Sequence, residues 1–135
     1  MRYAFEFDAG TAGRVWLRAI RIRPDNAWVE VADGMLTAKF GHWKVRTPLS
    51  NVDEAHVAGP YRELRAIGLR LSLSDHGLTF GTNAHRGVCI HFRKPLRTIT
   101  LIPFRHPNLT VTVERPGELV AELRAAAGLP GDARV

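Results

Sequence analysis

A chain of 135 residues with 45% hydrophobic content has the size of one domain and enough apolar surface for an independent core, so neither a second domain nor disulfide staples are required. The lone cysteine, Cys89, excludes an internal disulfide and any CxxC metal ribbon, which fits a reducing, cytoplasmic compartment. The formal net charge of +6 favours anionic partners.

The N-terminal run Met1 to Asp8 sets acids among its aromatics, where a signal peptide needs an unbroken apolar stretch, so it is expected to be retained and folded. No stretch of about 18 apolar residues occurs, and no transmembrane segment is expected. Residues 1–26 are read as an extra or irregular segment of a single domain spanning 1–135. Within it, Ala12 to Arg23 changes apolar phase near Ala19 and fits helix or strand.

From Trp28 onward the chain alternates with the period of a strand that buries one face. Val29 and Val31 flank Glu30, Asp33-Gly34 offers a tight primed turn, and Leu36, Ala38 and Phe40 alternate with Thr37 and Lys39, which predicts a hairpin. Gly41-His42 permits another reversal into Trp43 and Val45, ended by Pro48, completing a three-stranded meander. A short strand follows near Ala55 to Ala58, stopped by Gly59-Pro60. Leu69, Leu71 and Leu73 open a second meander, with Ser74-Asp75-His76-Gly77 as turn chemistry before Leu78 and Phe80. Its next strand turns Val88, Ile90 and Phe92 inward and makes Cys89 and His91 neighbours on the opposite face. Leu109, Val111 and Val113 mark a last strand.

A helix over about 116–127 closes the chain. Pro116 suits its first position, Glu118 its positive end and Arg124 its last turn, and Gly128 with Pro130 stops it. Leu119, Val120, Leu123, Ala126 and Ala127 give an apolar stripe too short to stand alone, hence packed on the sheet.

Two meanders and a closing helix, together with the stretches Phe40-Gly41-His42-Trp43, Thr47 to Val52, Gly77 to Asn83 and Arg105 to Val113, resemble uncharacterised actinobacterial proteins of pleckstrin-homology-like (PH-like) type. The resemblance implies a bent antiparallel sandwich or partial barrel of seven strands with one C-terminal helix. The strands counted here, eight plus the N-terminal run, exceed that number. The helix lacks the tryptophan typical of eukaryotic members, and Lys39, Lys44 and Arg46 stand closer together than the basic pattern of inositide-binding members.

Between Asp75 and Glu114 there is no acid, while Arg86, Arg93, Lys94, Arg97 and Arg105 fall there with four histidines. The loop Gly81 to Gly87 adds Thr82, Asn83 and His85, groups that can cradle an anion through backbone and side-chain donors. These eight residues form the expected anion- or partner-binding set, serving a non-catalytic binding or scaffolding module whose partner is a protein segment or an anionic ligand. Nucleic acid is the alternative partner, with Phe80, Phe92 and Phe104 as stacking residues, although strand parity puts the first two in the core. A metal- or thiol-dependent enzyme built on Cys89 and His91, with His85, is the second alternative. A closed zinc site needs a fourth ligand that no spacing indicates, so no metal, cofactor or catalytic residue is assigned. Ser74-Asp75-His76 contains triad residue types, but three consecutive residues cannot orient one another.

Overall fold

Asp33 (φ 55°) and Gly34 (φ 73°) both occupy the left-handed backbone region, the type I′ geometry whose twist suits a two-residue hairpin. The computed structural model describes residues 1–7, 10–58, 68–71, 78–82, 86–96 and 105–129, with side chains apart from those of 10–12, 58, 68–71 and 78. In chain order the elements are β1 (Arg2–Ala4), α1 (Gly10–Ala19), β2 (Ala27–Ala32), β3 (Met35–Phe40), β4 (Trp43–Pro48), β5 (Val52–Ala58), β6 (Gly68–Leu71), β7 (Leu78–Gly81), β8 (Gly87–Leu96), β9 (His106–Val111) and α2 (Pro116–Ala126). The class is mainly β, with two sheets and one C-terminal helix.

The first sheet has the order β1-β2-β3-β4. The primed turn sets the β2–β3 register, pairing Val29 with Ala38 and Val31 with Leu36, and all four side chains are buried. The N-terminal segment, expected to be extra or irregular, supplies an additional strand, β1, and a helix, α1. β1 pairs with β2 through Tyr3 and Val29, and α1 ends at Ala19, after which Arg21 takes φ 61° and Ile22 turns into the core. That left-handed residue is the physical origin of the phase change near Ala19.

The second sheet has the order β5-β8-β9-β7-β6 and includes one parallel pair, β7 with β9. It therefore departs from the expected meander: β9 lies between β7 and β8. Alternation tells which face a residue occupies but not which strand lies beside it. Leu109 and Val111 of β9 are fully buried, which suits a central strand. Gly87 opens β8 where the β9 backbone approaches, for a Cβ there would stand 2.7 Å from the Val111 carbonyl oxygen.

One core joins the sheets. Phe40 of β3 stacks on Phe80 of β7 at 5.0 Å between ring centroids, and Phe5 tilts against Phe40 at 5.4 Å. The N-terminal strand also crosses between sheets: Phe5 bridges Val113, the Glu6 amide donates to the Thr112 carbonyl, and the Glu114 amide donates to the Ala4 carbonyl.

The closing helix buries Leu119, Val120 and Leu123, as its stripe predicts. Ala126, expected on that stripe, is exposed. Arg124 is buried instead, and its guanidinium donates to the Glu54 carboxylate and to the Ala55 carbonyl of β5. Gly128 (φ 72°) ends the helix as expected, with the Leu129 amide donating to the Arg124 carbonyl. No helix among the described residues is long and apolar enough to cross a membrane.

Candidate functional site

β8 is flanked by β5 on one edge and β9 on the other, and its side chains separate by parity. Val88, Ile90 and Phe92 enter the core, while Cys89, His91 and Arg93 face away from it. Register fixes the neighbours on that outer face. His56 of β5 lies opposite Cys89, Glu54 lies opposite His91, and across β9 Cys89 meets Thr110 while His91 meets Asn108.

Cys89 Sγ and His91 Nε2 are 3.5 Å apart, which bears out their expected adjacency. The ring of His56 stacks against that of His91, with centroids 5.6 Å apart and planes inclined by 21°. One donor atom from each of His56, Cys89 and His91 lies within 4.8 Å of the other two, and all three residues are half-buried. His56 was not singled out from the sequence. Its signal is the β5–β8 register, which no local pattern encodes.

The described members of the expected anion-binding set do not assemble as one patch. Thr82 is fully buried; its hydroxyl donates to the Glu6 carbonyl at 2.6 Å and lies 3.0 Å from Thr112 Oγ1, which accepts from the Thr82 amide at 2.7 Å. Those internal bonds occupy it, so it is a structural residue and no ligand to a partner. Arg86 precedes β8 and Arg93 lies near its far end, both exposed, so at about 3.3 Å per residue they stand about 23 Å apart. Arg105 is exposed and precedes His106, which pairs with Leu96, and so belongs to the Arg93 end. Asn83, His85 and Arg97 lie outside the described residues, as do Phe104 and Ser74-Asp75-His76.

The acid-free stretch is also less isolated in space than in sequence. β5 brings Asp53 and Glu54 alongside β8, and Arg93 pairs with Asp53 at 3.1 Å. Phe80 and Phe92 are core residues, as parity predicts, and do not offer their rings to bases.

At the Arg93 end the chain crosses from the first sheet to the second through a single turn of 3-10 helix, Leu49–Asn51. There a cleft of about 400 Å³ opens between β4 and β8, lined by Thr47, Pro48, Asn51, Arg93, Lys94 and Leu96. Its walls are fastened by Asn51, whose amide group donates to Thr47 Oγ1 and to the Lys94 carbonyl and whose Oδ1 accepts from the Lys94 amide. Arg93 Nε donates to the Ser50 carbonyl at 3.2 Å. The lining combines apolar carbon from Pro48 and Leu96 with two cations on one rim.

No family model, curated protein or solved structure matches this chain.

Proposed function

We propose that this chain is a binding module whose recognition surface is the cleft between β4 and β8, and that its partner is an acidic protein segment. The observation that carries the reading is the lining itself: Pro48 and Leu96 beside the exposed cations Arg93 and Lys94. An extended segment with alternating acidic and aliphatic residues matches both features, its aliphatic side chains entering the cleft and its carboxylates meeting the rim. The cleft has the volume of an ordinary ligand pocket, and β4 is the edge strand of its sheet, where extended segments commonly dock. A PH-like scaffold, elaborated at its N-terminus by β1 and α1, is part of the same proposal; such scaffolds present many different sites, so the cleft rather than the fold supports the function.

Fluorescence anisotropy with a labelled acidic-aliphatic peptide tests this reading. Binding is expected at low salt and is expected to weaken as salt rises. Arg93→Glu with Lys94→Glu should raise Kd by about tenfold or more, because two exposed attractions become repulsions. Equal affinity for the double variant overturns the proposal, as does equal affinity for a basic peptide of the same apolar pattern. Competition by inorganic phosphate alone would instead assign the rim to a small anion.

A further inference from the structure

We propose that His56, Cys89 and His91 form a binding site for a zinc ion, with three protein ligands and a fourth position open to solvent. Sulfur and nitrogen bound to one tetrahedral zinc, at bond lengths of about 2.3 Å and about 2.0–2.1 Å, stand about 3.6 Å apart. Cys89 Sγ and His91 Nε2 already stand 3.5 Å apart. The His56 donor lies within 4.8 Å of both, so the three donor atoms converge on one small volume.

The scaffold suits the task. Antiparallel pairing puts His56 directly opposite Cys89, while strand alternation puts His91 on the same face two residues along β8. β8 is held along both edges, and β5 is tied to α2 through Arg124 and Glu54. The ligands thus sit on elements whose backbone positions are fixed before a metal arrives. One thiolate and two imidazoles form a borderline-to-soft donor set that selects zinc over magnesium or calcium, which take oxygen ligands. Half-burial of all three residues leaves the site accessible to the ion and to a solvent ligand.

Cobalt(II) titration of chelator-treated protein provides the test. The expected result is one equivalent bound, with a thiolate-to-cobalt charge-transfer band and the intense visible bands of tetrahedral cobalt, all abolished by adding zinc. Cys89→Ser should remove the charge-transfer band. His56→Gln and His91→Gln should each weaken binding by more than the roughly 10- to 100-fold that loss of an outer-shell partner costs. His42→Gln, a change at an exposed turn, should leave binding unaltered, and so should Arg93→Glu with Lys94→Glu, which separates this site from the cleft. A wild-type titration without a thiolate band overturns the proposal, whatever the stability of the variants. Wild-type affinity in His56→Gln overturns it equally.

Discussion

Arg124, in the last turn of α2, donates to Glu54 of β5 across 70 residues of sequence, so the closing helix is held to the sheet by an ion pair as well as by its leucines. The Arg124 side chain is 9% exposed and that of Glu54 42%. Removing the acid alone leaves a buried guanidinium without its counter-charge. Glu54→Ala should therefore cost about 1–2 kcal/mol in urea unfolding, below the value for a fully buried pair because Glu54 is partly hydrated. Adding Arg124→Leu should recover part of that loss, since an apolar side chain suits the same surroundings. A double variant less stable than Glu54→Ala would contradict this assignment.

Tyr3 is expected to set the alkaline limit. Its phenol is 1% exposed and donates to Glu122 at 2.5 Å. Burial first, then the Glu122 hydrogen bond and charge, raise its pKa well above the ordinary range. The folded chain thus keeps Tyr3 neutral where the unfolded chain ionises, at a pH of about 10. A raised folded pKa means that the contribution is complete below about pH 10 and is lost as pH climbs beyond it. Thermal unfolding across that range should show a falling Tm, and Tyr3→Phe should flatten the fall while lowering stability at neutral pH. An unaltered slope in Tyr3→Phe would exclude this group as the cause.

Thr82 provides a direct contrast between structural and binding roles. Thr82→Val removes a buried hydroxyl that serves the Glu6 carbonyl and Thr112, which should cost about 1–3 kcal/mol. Peptide affinity of the folded variant should equal that of wild type. A stable variant with impaired binding would return Thr82 to the recognition surface.

The glycines of β8 and α2 should respond with opposite signs. At Gly87 an added methyl meets the Val111 carbonyl, a backbone atom with little freedom to retreat, so Gly87→Ala should destabilise by about 1–3 kcal/mol. At Gly117, inside α2, nothing lies within 4 Å of the added carbon. Gly117→Ala should stabilise by about 0.4–1 kcal/mol through the unfolded state. Parallel chemical denaturation of both variants checks the pair.

What the sequence made legible was local. Asp33-Gly34 announced its turn because only certain residues accept two consecutive positive φ values, and Pro116 and Gly128 bounded the helix for comparable stereochemical reasons. The inward parity of Val88, Ile90 and Phe92 was equally readable. Neighbour relationships between distant segments were not. The parallel contact of β7 with β9, the bridge from Phe5 to Val113 and the approach of His56 to Cys89 all arise from register, which is settled by the whole core. The same limit explains the charge reading: an acid-free stretch of sequence became a strand lying beside Asp53 and Glu54. Arg124 was read as a complement to the helix dipole, because its carboxylate partner lies 70 residues away.

The most direct measurement of the recognition surface is an amide chemical-shift titration of the labelled protein with the acidic-aliphatic peptide. Saturating shifts should concentrate at Thr47, Ser50, Asn51, Lys94 and Leu96, with little change along β1 and β2. Shifts centred elsewhere on the domain, or none at peptide concentrations in excess of the protein, would contradict the cleft as the site of binding.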